Sequence, residues 1–227
     1  MLLYTFQDET ITKQIENMNN NEALWVDFQK TNLYKQANGN LGMIEQQFTA
    51  YKYMADKLAE KTGIKATLKG KNISPLPWWA WYKVDGKEQK PSMEYSMGGW
   101  NSPFEYSKQC LITLNVPEEI VLLSDINAFY SCLRGEPCFD YLSEKEEKKA
   151  WADYEKKIRM LTKTHNKEDA EKLYAYTEST WENIFIVDGS RRLREVKDIP
   201  LPFKIVEKHD IQAVFPFILK NFVVNIE

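Results

Sequence analysis

The sequence has few of the residues from which metal sites are usually built. Of its 227 residues, two are histidine and three are cysteine. Neither His165 nor His209 has a cysteine or carboxylate partner at ligand spacing, although His209 precedes Asp210. The three cysteines show neither the paired spacing of a zinc site nor that of a disulfide framework. This pattern argues against metal catalysis and indicates reduced thiols in a cytoplasm.

Recurrent catalytic motifs are missing as well. The sequence contains no GxGxxG, no Walker loop, no GxSxG and no HExxH, so the common nucleotide-binding, hydrolase and metalloprotease classes lose their main support. An excess of positive charge is also lacking. The net charge of −3 argues against holding nucleic acid by bulk electrostatics, although it leaves room for a local basic patch.

Long hydrophobic runs are absent too. No segment approaches the length of a membrane span, and the opening MLLYTFQDET lacks the basic region and the apolar run of a signal peptide. We therefore expect a protein with no membrane contact and a cytoplasmic location. The 43% hydrophobic content is enough for a sizeable core.

What the sequence does have is a central segment, from Pro75 to Arg134, with three apolar runs of strand character. The last run ends in Ser124-Asp125, which can cap a helix at 126–134 before Gly135 closes it. A strand that ends at a helix N-terminus creates a polar niche, and such niches accept anions and other ligands. The three runs are Trp78–Val84, Cys110–Val116 and Ile120–Leu123.

Tryptophans crowd the first of these runs. Because side chains alternate across a strand, we expect Trp79 and Trp81 on one side and Trp78 and Tyr82 on the other. One pair then meets a helix layer, and the other meets a second layer or a cleft in which an indole stacks on a planar ring. An aromatic strand is also often simply core. The stretch at 85–108 is either a binding loop or a long hairpin packed by its own side chains.

Strand-like and helical periodicity occupy separate parts of the chain, which favours an α+β fold. We predict a single domain over residues 1–227 with two packed, mostly antiparallel sheets and a peripheral helical insert at 143–178. A capping box at Ser143 opens that insert. The other elements predicted are strands at 2–6, 203–206, 211–215 and 222–226, and helices at 10–18 and 43–61.

Arginines cluster once, at Arg191, Arg192 and Arg194. Such a cluster can meet a phosphate, a nucleic acid backbone or a protein acceptor. Alternatively, the arginines only balance neighbouring carboxylates such as Glu195 and Asp198.

Several short motifs carry a family resemblance. LYTFQ, PLPWWAWYKV, VPEEIVLLSD, TWENIF and IQAVFP together resemble an uncharacterised family of small bacterial proteins known as a domain of unknown function. The same order of motifs is more distantly similar to the DNA-targeting ADP-ribosyltransferase toxins. The matching segments are Leu3–Gln7, Pro77–Tyr82, the Ser-Asp-x-Asn-Ala turn at 124–128 and Ile211–Pro216.

The second resemblance implies an ADP-ribosyltransferase-like protein that binds NAD in a cleft and modifies a nucleic acid or protein acceptor. Two departures matter: Thr5 stands where such transferases commonly carry histidine, and Gln212 where the toxins carry glutamate. A neutral amide stabilises an oxocarbenium-like ribose far less than a carboxylate does, and it cannot act as a base. Glu182 and Glu207 are the alternative carboxylates.

The resemblance thus implies Gln212 and Glu182 as catalytic positions. Its implied NAD-contacting residues are Thr5, Gln7, Trp79, Trp81, Tyr82, Ser124, Asp125 and Asn127. Under this hypothesis Thr5, Gln7 and Gln212 converge on one concave surface, whereas otherwise the two glutamines bond backbone at sheet edges. The alternative function is a non-catalytic binding or regulatory module on the same scaffold, which the missing glutamate favours.

Overall fold

A computed structural model describes residues 1–38, 40–64, 76–92, 109–193, 195–196, 205–206 and 208–227. The chain divides into two compact units. The first unit contains Met1–Leu123 and Asp210–Glu227, and the second contains Ser124–His209.

The described strands are β1 (Leu2–Asp8), β2 (Ala23–Trp25), β3 (Trp78–Lys83), β4 (Gln109–Asn115), β5 (Leu122–Asp125), β6 (Glu195–Val196), β7 (Ile205–Val206), β8 (Ile211–Phe215), β9 (Phe217–Leu219) and β10 (Val223–Ile226). The described helices are α1 (Glu9–Asn17), α2 (Asn32–Ala37), α3 (Glu45–Thr62), α4 (Ile126–Arg134), α5 (Glu144–Thr164) and α6 (Lys167–Ser179).

A six-stranded sheet in the order β10-β4-β1-β3-β8-β5 dominates the first unit. The pairs β10–β4, β4–β1, β1–β3 and β3–β8 are all antiparallel. β2 and β9 form a smaller antiparallel sheet. The fold is therefore α+β, as predicted, and the strands that begin near Trp78 and Cys110 both lie inside the large sheet.

The two faces of the large sheet carry different side chains. Leu3 and Leu114 pair across β1 and β4 and are fully buried, and with Trp78, Ala80 and Phe215 they belong to the main apolar cluster. Full burial of a leucine or phenylalanine side chain contributes roughly 1.5–3 kcal/mol. Helix α1 supplies Ile15 to the same cluster, and β9 supplies Ile218.

Helix α3 belongs to the opposite face. Its apolar residues recur every three or four positions, and Tyr51 meets the ring of Trp79 edge-on at 5.6 Å between centroids. The helix ends at Gly63, whose φ of 69° is a left-handed conformation that glycine adopts without strain. The predicted alternation along β3 is confirmed, since Tyr82 packs with Trp78 against the main cluster.

The second unit is mainly helical. Asp125 caps α4, and Ser143 with Glu146 forms the predicted capping box of α5. Phe139 packs against the rings of Trp151, Tyr154 and Tyr176 with centroid distances of 5.2–6.4 Å. The two helices predicted for the insert lie within this unit, and the assignment of the whole chain to one domain stays a prediction.

Some predictions fall outside the described residues. These are most of the loop at 85–108, of which only 85–92 is described, and the side chains of Arg194 and Glu207. The described start of that loop is a tight turn in which Asp85 and Gly86 both have positive φ.

Candidate binding cleft

A cleft of about 810 Å³ lies in the first unit, where β1 ends and β3 and β4 begin. Pockets for small organic ligands usually measure roughly 300–1,000 Å³. Its aromatic wall consists of Phe6, Trp25, Tyr51, Trp78 and Trp79.

The indole rings at the wall are held by specific contacts. The Nε1 of Trp78 donates to the carbonyl oxygen of Leu24 at 2.8 Å, and this ring is only 6% exposed. Trp25 packs edge-on against Phe217, with 5.1 Å between ring centroids. Trp25 and Trp79 both remain half-buried, so these two indoles are the surfaces on which a planar ligand can stack.

Charges in the cleft balance. Among the described lining residues the charged ones are Asp8, Asp27, Lys30 and Lys35. Asp8 caps α1 by accepting from the Thr10 amide at 2.8 Å. Asp27 accepts from the Gln29 amide and lies 3.5 Å from the ammonium of Lys30. The formal charges of these residues sum to zero, which favours an uncharged ligand over a polyphosphate.

Neutral amides supply further polar contacts. Gln7, Gln14, Gln29 and Gln109 all line the cleft. The Oε1 of Gln109 is buried and has no hydrogen-bond partner among the described residues. A buried acceptor without a donor is costly, so a site that leaves one is suited to a ligand that donates.

The expected convergence of Thr5, Gln7 and Gln212 is wrong. Gln7 donates to the Thr5 hydroxyl at 2.7 Å, and that hydroxyl donates to the Trp79 carbonyl at 2.8 Å. Gln212, however, pairs with Trp81, which itself pairs with Tyr4. Because Tyr4 and Thr5 are adjacent in β1, their side chains project from opposite faces of the sheet. Gln212 lies on the face of Tyr4, whereas Thr5 and Gln7 lie together on the other face.

The remaining first-unit candidates separate along β3. Trp79 lines the cleft, but Trp81 and Tyr82 are not among its lining residues. The Tyr82 hydroxyl donates to Glu88 at 2.5 Å. This hydrogen bond to a carboxylate raises the pKa of Tyr82 to about 12, and partial burial adds to the shift. A cofactor-binding role for Trp81 and Tyr82 stays a prediction.

The candidates of the Ser-Asp-x-Asn-Ala turn belong to the second unit. Asp125 Oδ1 accepts from the amides of Asn127 and Ala128, and its Oδ2 is 2.8 Å from the Nε of Arg191. Ser124 is fully buried, and its hydroxyl has no partner among the described residues. The side-chain amide of Asn127 donates to the carbonyl of Lys208 at 2.8 Å. Asp125 and Asn127 are thus bonded within the unit.

Arg191, the first residue of the arginine cluster, does not belong to a basic surface patch. The Arg191 side chain is 0% exposed and lies between Asp125 and Asp140, at 2.8 and 3.7 Å. Arg192 pairs with Glu147. The two arginines therefore balance carboxylates, as the alternative predicted, and the described partners are distant in sequence. The side chain of Glu195 and the residue Asp198 lie outside the described part of the chain.

The two residues implied as catalytic, Gln212 and Glu182, belong to different units. Gln212 is half-buried in β8 of the first unit, and Glu182 is exposed in a 3₁₀ turn, Thr180–Phe185, of the second. Their pairing in a reaction stays a prediction.

Sequence reasoning missed Trp25, Tyr51 and Gln109 as lining residues. Tyr51 lies in the helix predicted at 43–61, and Trp25 lies outside the elements that the sequence predicts. Gln109 directly precedes the Cys110–Val116 run. A polar residue at the start of an interior strand was the available signal.

No protein-family model, curated protein or solved structure compared with the chain matches it. The family resemblances therefore stay predictions. Within the described part of the chain, no cluster of three or more histidine, cysteine, aspartate or glutamate side chains is arranged to hold a metal ion. The helices described are all too short or too polar to cross a membrane.

Proposed function

We propose that the protein is a non-catalytic binding module whose first-unit cleft holds a small planar molecule. The observation that carries this proposal is the cleft itself, in which half-buried Trp25 and Trp79 adjoin polar side chains within about 810 Å³. Stacking on aromatic rings contributes about 0.5–1.5 kcal/mol beyond area burial, and the few polar groups fix orientation.

The polar groups of the cleft favour binding over chemistry. Its two aspartates already accept helix-capping hydrogen bonds, from the amides of Thr10 and Gln29. No histidine, cysteine or glutamate is among the described lining residues. Histidine is the side chain that most often serves as a general base, and cysteine and glutamate are frequent nucleophiles.

The ligand class is that of nucleobase-containing molecules. The motif order that resembles the DNA-targeting ADP-ribosyltransferase toxins makes NAD the first molecule to test, together with an ADP-ribosyltransferase-like arrangement of the strands. The balanced charges of the lining favour an uncharged nucleoside as the second.

The test is ligand-induced thermal stabilisation of the purified protein by NAD and by a panel of nucleosides. A ligand at about 100 times its Kd adds about 2.7 kcal/mol of stability, a shift of several degrees in Tm. We expect a shift that Trp79→Ala abolishes and Trp81→Ala keeps, since both residues lie on the same face of β3 but only Trp79 lines the cleft.

Two results would contradict the proposal. Equal stabilisation of the Trp79→Ala variant would place the ligand elsewhere. Release of nicotinamide from NAD, measured in the same samples by chromatography, would establish the enzyme instead of the binding module.

A further inference from the structure

Three adjacent strands of the large sheet place polar and aromatic side chains together on one face. Asp8 pairs with Gln109 across β1 and β4, so their side chains project from the same face. Tyr4 pairs with Trp81 across β1 and β3. Trp79, two residues before Trp81, and Asp8, four residues after Tyr4, therefore share that face as well.

These residues also share one end of the sheet. Asp8 ends β1, Gln109 begins β4, and Trp79 is the second residue of β3. All three line the cleft. Since neighbouring strands are about 4.8 Å apart, the β4 and β3 backbones lie about 10 Å apart across β1. One face of the cleft thus has an aromatic wall at Trp79 and Tyr51 and a polar edge at Gln109.

The polar edge presents acceptors. The buried Oε1 of Gln109 has no donor within the described part of the chain. Its cross-strand neighbour Asp8 adds negative charge on the same side. A ligand atom that reaches this edge is stabilised if it carries N–H hydrogen, and destabilised if it carries only lone pairs.

From this geometry we infer that the cleft selects an uncharged heteroaromatic base with an exocyclic amine, stacked on Trp79 with the amine donating to Oε1 of Gln109. The inference rests on the proposed function and specifies the ligand class of the same cleft. The amine distinguishes adenine-like rings from otherwise identical rings that lack it.

Adenosine and purine riboside provide a matched pair, because they differ only in the exocyclic amine. Isothermal titration of the wild-type protein should give a Kd for adenosine about 3- to 10-fold lower than that for purine riboside, the effect of one neutral hydrogen bond. This comparison requires no mutation.

Variants locate the effect. Gln109→Leu should remove the preference for adenosine, whereas Gln109→Glu, which keeps an acceptor oxygen, should retain it. Gln47→Leu is the control, since Gln47 lies in α3 and is not among the residues that line the cleft. It should leave the preference intact. If circular dichroism shows that Gln109→Leu does not fold, the two nucleosides measured on the wild-type protein and on Gln109→Glu still test the inference.

The outcomes separate the two proposals. Equal affinity for both nucleosides, or a preference that persists in Gln109→Leu, overturns the inference and leaves the binding module standing. If neither nucleoside binds but NAD binds in a way that depends on Trp79, the inference is also overturned and the binding module still stands. If no probe binds, both proposals fall.

Discussion

The two units differ in how they treat polar groups. In the first unit the buried polar side chains of the sheet are neutral, as with Thr5 and Thr113, and four charged side chains line the cleft. In the second unit Asp125, Asp140 and Arg191 are themselves almost fully buried. Buried charges that bond one another hold a scaffold together, whereas polar groups beside half-buried indoles can exchange water for a ligand.

The largest effect is expected where that difference is greatest, at Arg191. Replacing Arg191 by alanine leaves the buried carboxylates of Asp125 and Asp140 without their cation. We expect a loss of about 3–5 kcal/mol in the free energy of unfolding, measured by urea denaturation.

The matched control for that variant is Arg134→Ala. Arg134 pairs with Glu136, and its side chain is 53% exposed, so its removal should cost less than about 1 kcal/mol. Similar urea midpoints for the two variants would show that the buried cluster of Arg191, Asp125 and Asp140 adds no more stability than an exposed ion pair. The difference proposed between the two units would then not hold.

A smaller effect is expected in the first unit from Thr5→Val, which keeps the shape of the side chain but removes its hydroxyl. The carbonyl of Trp79 and the amide of Gln7 then lose a partner. The expected loss is about 1–3 kcal/mol, again by urea denaturation.

The neighbouring strand offers a control for Thr5. Thr113→Val makes the same substitution at a buried threonine in β4 that takes no part in the hydrogen bonds of Thr5. It should cost less than Thr5→Val. An equal cost would mean that burial of a methyl-sized group, not the hydrogen bonds of Thr5, sets the stability.

The smallest effect is expected from Ser124→Ala. Because the Ser124 hydroxyl is fully buried and has no described partner, its removal deletes an unsatisfied polar group and should leave stability unchanged or raise it by up to about 1 kcal/mol. A clear drop in the urea midpoint would show that the Ser124 hydroxyl makes a hydrogen bond that stabilises the fold.

Local signals in the sequence predicted most of the described elements. The apolar run at 110–116 predicted β4, and the apolar stripe through Tyr51 and Leu58 predicted α3. Ser124-Asp125 predicted the start of α4, which Asp125 caps. Each of these signals lies within a few residues of the element that it specifies, so periodicity and capping chemistry were sufficient.

The candidate site depended on information that is not local. Whether Gln212 shares a face with Thr5 is decided by the register of β8 on β3 and of β3 on β1, and a shift of one residue reverses the answer. In the same way, nothing near Arg191 in the sequence indicates Asp125 as its partner. Strand register and long-range ion pairs are set by the packing of the whole unit.

The order of the strands along the chain also affects how the protein is made. β8 is an interior strand beside β3, yet it follows the entire segment 124–209 in the sequence. A ribosome therefore releases that segment before the strand that completes one edge of β3. Until β8 emerges, the tryptophan-rich β3 has an open edge that can pair with other chains, so synthesis passes through a stage that favours aggregation and chaperone binding.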